Sequence, residues 1–469
     1  MFNKLSDKNF NILLLLVNIL ILATFIISGI SLSIAFCILV LLTSLILLAS
    51  HKCDLRALFI LISKCLKESL WICIIIFFIG ASISAWMISG VVPSIMYYGF
   101  MILDKAPVNF ILLCFIITAI ISYFMGTAIG TISSMGIALL GIAKGINAPI
   151  ALTLGSIISG AFIADKISPI SGLLNLTLNS AGTSYKKYFK TSLYTLIPTV
   201  ILTSILYFIL GSIFCPKIDT SNILLYMIDL NENFIISPYL LFIPFAVVFL
   251  TFLGLKTLYT LPIGTLLGSI CAIVVQKKSL YAITNAILKG YSLKKTTSII
   301  SPLIKGGGAF NMLEVIIIVA GSIVLVTILD ENGVLSPLTE LFLKNITSPL
   351  KLIINTSLLS SVMTIITCDQ TMGIVLPGKL MKQHYLDYKL TEDTLARTIS
   401  DTGTIIAPLM PWNVNSIIIL AITGVSSIVY APFTFLCILN PLISIIVIWV
   451  KLRQTPFKIN KELKITSSD

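Results

Sequence analysis

Histidine and charge are both scarce in this chain. Of its 469 residues only 11% are charged and two are histidine. Soluble domains usually carry about a quarter charged residues, so too little polar surface remains to cover a water-soluble globule of this length. The nine cysteines are scattered, and no two stand in a C-x-x-C pair. With His51 and His384 in basic loops, a disulfide framework and a transition-metal centre both lack support. The run Gly126–Gly136 (GTAIGTISSMG) has no Gly-Lys-Ser/Thr after it, which excludes a phosphate-cradling loop.

What the chain has instead is apolar length, with 57% of its residues hydrophobic. Runs such as NILLLLVNILILATFIIS from Asn11 are continuous, whereas a transmembrane barrel would alternate in short segments. The fold class is therefore an all-α polytopic membrane protein. Hydropathy marks spans near 11–29, 32–50, 69–90, 109–125, 191–214, 236–253, 311–329, 350–367 and 431–450, with a weaker one at 257–276. Counting interrupted regions as well gives about 10–13 transmembrane segments. Lys4 and Lys8 precede the first run as in a signal peptide, but the run is long and lacks a small-x-small site, so it reads as a retained helix.

The net charge of +12 does not require nucleic acid, because the positive residues fall in short stretches between apolar runs. The positive-inside rule puts the N-terminus, His51–Glu68, Lys186, Lys187 and Lys190 on the cytoplasmic side. It places the tail there too, with Lys451, Arg453, Lys458, Lys461 and Lys464. Asp219, Asp229 and Glu232 suit the outside. If 236–253 and 257–276 both cross, the basic stretch Lys277–Lys305 falls outside, against the rule, and the sequence leaves its side open. The expected location is the cell (inner) membrane, multi-pass, with the lipid bilayer as partner and a homo-oligomer compatible.

Two apolar regions, 126–181 and 399–430, are studded with Gly, Ser, Thr and Pro. Irregular backbone at membrane depth survives only when buried in protein or lining a wet cavity, so hairpins and broken helices are expected here. One region contains DKISPISGLLN (Asp165–Asn175), the other DTGTIIAPLMPWN (Asp401–Asn413). Each sets an Asp upstream of a Pro, and matching interruptions in two halves point to a transport site. The implied organisation is an N-terminal hairpin and amphipathic segment (1–68), a first transport repeat (69–214) and connecting spans with a basic linker (215–305). A second repeat (306–430) and a last span with its tail (431–469) complete it.

Within these regions a membrane carboxylate is a functional hypothesis by default, since it costs about 2.5–3.5 kcal/mol at a helix centre. Asp165 could instead pair with Lys166, Asp369 could end a helix at the surface, and Asp401 could cap one. Glu314 faces either the bundle or an interface. A carboxylate binds a proton or a metal cation, not both well, so competition at one site couples opposed fluxes. Sodium prefers oxygen ligands, which Ser168, Ser171, Asn175, Thr404 and Asn413 supply; Lys166 could pair with the empty site or hold an anionic substrate. An intramembrane aspartyl protease also needs two Asp residues, but the YD and GxGD pair is absent, and a scaffold needs no buried carboxylate. No enzyme activity and no cofactor are expected.

Several segments together resemble the NhaC-type sodium/proton antiporters of the ion-transporter superfamily. They are WMISGVVPSIMYYG from Trp86, GTAIGTISSMGIALLGIA from Gly126, GSIISGAFIADKISPISGLLN from Gly155, CDQTMGIVLPGKL from Cys368 and RTISDTGTIIAPLMPWN from Arg397. The resemblance implies sodium/proton exchange, or in some relatives coupled exchange of malate or lactate. It also implies two inverted repeats with paired hairpins around a midplane site. The family pattern carries over to Asp165, Lys166, Ser168, Pro169, Ser171 and Asn175, to Asp369, and to Asp401, Thr404 and Asn413. It departs at Gly172, where the family has an acidic residue, and at Leu173-Leu174, where it has Thr-Thr. Loss of that carboxylate should weaken bare-cation binding and favour an organic substrate. Sodium and protons are the expected cargo, with a small organic anion or amino acid as the alternative.

Overall fold

The computed structural model describes residues 7–28, 31–105, 109–214, 223–293, 300–301, 303–344 and 346–454. Lys4, Asp219 and the tail residues Lys458, Lys461 and Lys464 lie outside the described residues, as do the side chains of Lys451 and Arg453. The chain is almost wholly helical. The exception is a two-residue hairpin pairing Tyr291–Ser292 with Lys305–Gly306. Among the described residues, eight helices are long and apolar enough to cross a membrane, and up to eleven if each bent pair is one span. The reading as a polytopic membrane protein holds.

In chain order the first half comprises α1 (Asp7–Ser28), α2 (Leu32–Ala49), α3 (Leu55–Ile88), α4 (Val91–Lys105), α5 (Phe110–Met125), α6 (Ala128–Gly145), α7 (Ile150–Ile167), α8 (Gly172–Ala181) and α9 (Tyr185–Phe214). Then come α10 (Ile223–Asn233), α11 (Phe242–Phe252), α12 (Thr257–Val274) and α13 (Leu280–Lys289). The second half comprises α14 (Phe310–Glu331), α15 (Ser336–Leu343), α16 (Pro349–Ile366), α17 (Gln370–Asp387), α18 (Glu392–Leu409), α19 (Val414–Thr423) and α20 (Phe435–Gln454). The 34 residues of α3 rise about 51 Å, more than a ~30 Å hydrocarbon core needs. The expected boundary at 68 therefore falls inside one continuous helix.

The two halves share a backbone punctuation at a constant offset of 242 residues. Helices α6, α7 and α8 start at 128, 150 and 172, and α17, α18 and α19 start at 370, 392 and 414. The left-handed residues follow the same offset: Gly126 (φ 65°) with Cys368 (60°), Asn147 (53°) with Lys389 (56°), and Gly182 (80°) with Gly424 (73°). This register pairs Pro169 with Pro411 and Ser171 with Asn413, but it sets Asp165 against Ala407 and Asp401 against Ser159. The two aspartates that look equivalent in the sequence therefore occupy different places in their repeats.

The broken spans α7–α8 and α18–α19 run in opposite directions. The end of α8 at Gly182 lies beside Lys382 and Glu392, where α18 begins. The early part of α7 at Gly155 lies against the backbone of Phe433, just beyond α19. Such an arrangement is an inverted pair. In the second half the Cys368 carbonyl at the α16–α17 tip accepts from Val414 N at 2.9 Å, so the hairpin meets the α18–α19 break. In the first half Gly126 at the α5–α6 tip packs on Ile170 in the α7–α8 break. Tight packing underlies both contacts: Gly160 on α7 meets Thr118 of α5, and Gly403 on α18 meets Ser360 of α16. Thr118 and Ser360 again differ by 242. The glycines are one residue out of register because Ser400–Thr404 winds as a π-turn and absorbs an extra residue.

One face of the protein collects the N-terminal basic residues. Lys52 pairs with Asp7 at 2.8 Å, Lys8 with Glu340 at 3.1 Å, and the Tyr388 hydroxyl donates to the Ile346 carbonyl at 2.8 Å. Gly182 beside Glu392 adds Lys186, Lys187 and Lys190 to the same face. The described residues of the stretch left open in the sequence lie on the other face. Gln276 bonds both ways with the backbone of Ile235, and Ile300 N donates to Asp229 at 3.0 Å. Residues 235 and 276 are thus joined at one end of the α11–α12 pair, and the basic linker follows them there. Glu314 is exposed and accepts from Ser31, so it does not face the buried interior of the bundle.

A Cβ at Gly160 would come 2.5 Å from the Phe115 carbonyl oxygen and 2.8 Å from Ala119 N, both backbone atoms that cannot step aside. Gly160→Val should cost about 1–3 kcal/mol through overpacking. It should show as a lower melting temperature and a broadened size-exclusion peak in detergent, while a valine at the open and exposed Gly172 should leave both unchanged.

Candidate transport site

The two halves join through a buried ion pair. Lys166, near the end of α7, and Asp401, in the π-turn of α18, are both fully buried, and the lysine Nζ donates to Asp401 Oδ1. Helices α9 and α20 complete the surroundings. Thr195 Oγ1 donates to the same carboxylate oxygen at 3.2 Å, and Asn440 Nδ2 reaches it at 3.2 Å and the Asp401 carbonyl at 3.0 Å. Thr199 in turn donates to Asn440 Oδ1 at 3.3 Å. The Tyr188 hydroxyl lies 2.7 Å from the Lys166 carbonyl and 2.9 Å from Ser400 Oγ. These bonds hold the lysine's backbone and the aspartate's turn together.

Asp165 points elsewhere. It is 5% exposed, makes no ion pair, and accepts a hydrogen bond from Ser171 at 3.2 Å. Ser171 also caps α8 by accepting from Leu174 N, and Ser168 donates to the Tyr123 carbonyl at 2.7 Å, tying the break to α5. A structural pairing of Asp165 with its neighbour Lys166 is thereby excluded: the lysine reaches across to the other half. Asn175 is exposed, and its amide donates to the carbonyls of Pro169 and Ser171 at 3.2 and 2.9 Å. It fixes the start of α8, away from the buried centre. Gly172 is exposed with nothing within 4 Å of where a side chain would begin. The family's acidic position therefore sits on a rim, and its loss removes no charge from the Lys166–Asp401 centre.

A second polar cluster lies where the α16–α17 tip meets the α18–α19 break. Asp369 caps α17 by accepting from Thr371 N at 3.1 Å. Gln370 donates to the Thr404 carbonyl, and Asn415 bridges Gln370 and Asn413 at 3.0 and 3.1 Å. Asn413 caps α19, yet its own Nδ2 is buried without a partner. Carbonyl and amide oxygens thus meet from two broken backbone segments, with the Asp369 carboxylate at the hairpin tip, an oxygen-rich setting of the kind a hard cation takes.

Sequence reasoning missed Thr195, Asn440, Gln370, Asn415 and Arg397. Asn440 had a signal, an amide in the middle of an apolar run. Arg397 is the most unusual. It is 2% exposed, and its nearest carboxylate contact is Nε to Asp401 Oδ2 at 3.8 Å, too long for a hydrogen bond. Neither of those two atoms has a hydrogen-bond partner.

Inverted, broken spans with buried opposite charges at their crossing define a secondary transporter embedded in the bilayer. The sequence profile of the Na+/H+ antiporter family matches residues 172–452. The chain belongs to the Na+/H+ antiporter family. It is 29% identical to a Na+/H+ antiporter NhaC of Alkalihalophilus pseudofirmus over 78% of this chain and 79% of that protein. It is 30% identical to a malate-2H+/Na+-lactate antiporter of Bacillus subtilis over 76% of each. An arginine/ornithine antiporter of Halobacterium salinarum is 28% identical over 82% of this chain and 80% of its own.

Removing one member of a buried pair costs about 3–5 kcal/mol because the other charge is stranded. Here the two ends are unequal. Lys166→Met leaves one carboxylate with Arg397 at hand, whereas Asp401→Leu strands two cations. Thermal unfolding of the detergent-purified variants should therefore place Asp401→Leu well below Lys166→Met, with both below the unsubstituted protein.

Proposed function

We propose that the protein exchanges cytoplasmic sodium for external protons across the cell membrane. The observation that supports this most is the Lys166–Asp401 bond across the two halves, with the next residue in the chain, Asp165, buried and bonded to Ser171. In the ion-free state the lysine acts as an internal cation on Asp401. Sodium entering the site offers its charge to the same oxygens, with Thr195, Asn440 and Ser171 as neutral ligands, and Lys166 is displaced. The exchanged proton is carried by Asp165: it leaves when sodium binds, and when sodium departs Asp165 takes a proton back and the Lys166–Asp401 bond re-forms. Since Asp401 and Lys166 belong to different repeats, occupancy changes the bond between the repeats, which is what alternating access requires. Asp369, Thr404 and Asn413 form a second oxygen cluster for the cation or substrate, and Ser168 holds the first break in shape.

The face carrying Lys8, Lys52, Lys186, Lys187 and Lys190 is the cytoplasmic one by the positive-inside rule. On this reading both termini are inside and the described part of the basic linker is outside, a local exception to the rule. A second reading, a sodium- or proton-coupled exchanger of a small organic anion of the malate or lactate type or of an amino acid, has one observation in its favour. That observation is the buried Arg397, whose Nε makes no hydrogen bond and stands 3.8 Å from Asp401 Oδ2.

The test is transport by purified protein in liposomes, read by a pH-sensitive dye after a sodium pulse. Exchange is expected in the unsubstituted protein and absent in Asp165→Asn, with membrane insertion intact. Asp401→Asn should raise the sodium half-saturation about tenfold, in line with loss of about 1.4 kcal/mol of binding. A sodium pulse that moves no protons, or full exchange by Asp165→Asn, would refute the reading.

A further inference from the structure

The first hairpin has a hollow behind it. A cavity of about 500 Å³ lies between α4, α5, α6 and α11, with Trp86 of α3 at its back. Met125, Leu139 and Ile142 form buried walls, whereas Ile102, Ile120 and Phe245 are exposed at the rim. Phe124, Phe245 and Val248 also line a shallower groove that continues over Phe242 and Phe249 along α11. The hollow thus opens sideways, through side chains that a membrane protein turns to lipid. Its orientation follows from α5. Asn109 caps that helix and donates to the Phe208 carbonyl at 2.7 Å, near the end of α9 remote from Lys186, Lys187 and Lys190. α5 therefore starts at the face opposite the basic one and descends to the tip at Gly126. α4 crosses that same end, with Gly99 against Ile142 and Gly145 against Phe100.

Size and lining say what kind of molecule fits. Along α5 the cavity runs from Ile117 to Met125, about 12 Å at 1.5 Å per residue. One leaflet of a ~30 Å hydrocarbon core supplies about 15 Å of chain. Three lining side chains carry nitrogen or oxygen. Trp86 Nε1 already donates to the Gly264 carbonyl at 3.0 Å, and the Ser134 hydroxyl to the Gly130 carbonyl at 2.8 Å. The third, Tyr98, lies on α4, at the end where headgroups begin. Water gains nothing in so apolar a space, and an unfilled hollow costs stability in proportion to its volume. The bilayer that borders the opening offers hydrocarbon chains.

We infer that this cavity binds one acyl chain of a phospholipid from the leaflet opposite the basic face, with the headgroup by α4 and the chain's methyl end at Met125. The site is independent of the cargo and of the Lys166–Asp401 centre. It bears on transport through the hairpin. Gly126, next to Met125, packs on Ile170 in the α7–α8 break, and Ser171 of that break bonds Asp165. A chain in the hollow backs the tip against that break.

The experiment uses the full-length protein in detergent with Trp71→Phe and Trp449→Phe, which removes the two tryptophans exposed to lipid and leaves Trp86 and Trp412. Phosphatidylcholine brominated in mid-chain is titrated in. Emission should fall and level off near one phospholipid per protein, because a bromine in the cavity sits against Trp86. At about a hundredfold excess over Kd, ordinary phosphatidylcholine should raise the melting temperature by about 3 °C. Filling the hollow with Ile121→Phe and Val248→Phe together should abolish both effects, while the lipid-free melting temperature holds or rises. Phe245→Ala changes only an exposed rim residue and should weaken half-saturation about tenfold. That variant decides the outcome if the filled one does not fold. Quenching that survives filling, that ignores Phe245→Ala, or that grows without saturating would overturn the inference. So would quenching by a brominated free fatty acid but not by the phospholipid.

Discussion

A lysine and an aspartate drawn together from opposite repeats, out of reach of water, constrain everything around them. Neither could stay charged at that depth alone, and each owes its position to the other. The breaks that let α7 end near Lys166 and the π-turn that aims Asp401 are the backbone's part in that arrangement. Thr195, Asn440 and Tyr188 are the side chains that fix it. Around this point the long apolar helices supply little besides walls. Their exposed leucines, isoleucines and phenylalanines meet lipid, and their small residues let hairpins and broken spans approach closely.

Much of the fold was legible in the sequence, because hydropathy reports burial in lipid directly and Gly, Ser and Pro mark where a membrane helix must break. The region 126–181 holds a hairpin arm and a broken span and 399–430 holds the second break, whereas the second hairpin, α16–α17, lies outside both. The register between them was not legible. Asp165 and Asp401 draw the eye, yet the duplication is written in backbone conformation: Gly126 with Cys368, Asn147 with Lys389, Gly182 with Gly424. Left-handed conformation is favoured by glycine but accepted by other residues at a cost, so only one of those three pairs keeps its residue type.

The site divided in the same way. Residue chemistry pointed to Asp165, Lys166, Ser171, Asp401, Thr404 and Asn413, all of which lie in the two polar clusters or border them. Asn175 shares their chemistry but serves its own helix. What could not be read was the partnership of residues more than two hundred positions apart, since an ion pair's sequence signature is only two charges. Arg397 escaped for a related reason. A basic residue near a helix start looks like a surface anchor until the surrounding helices are in place.

The constant offset between the halves has a further consequence. Because the two broken spans share one plan but run in opposite senses, each half displays a shape that the other is able to adopt. α9 runs as one unbroken helix of 30 residues, while its counterpart, Ser427–Phe433 with Phe435–Val450, is broken and bends by 52°. The two halves thus share one plan and differ by one bend, so the asymmetry of the molecule is concentrated in the last span of each half.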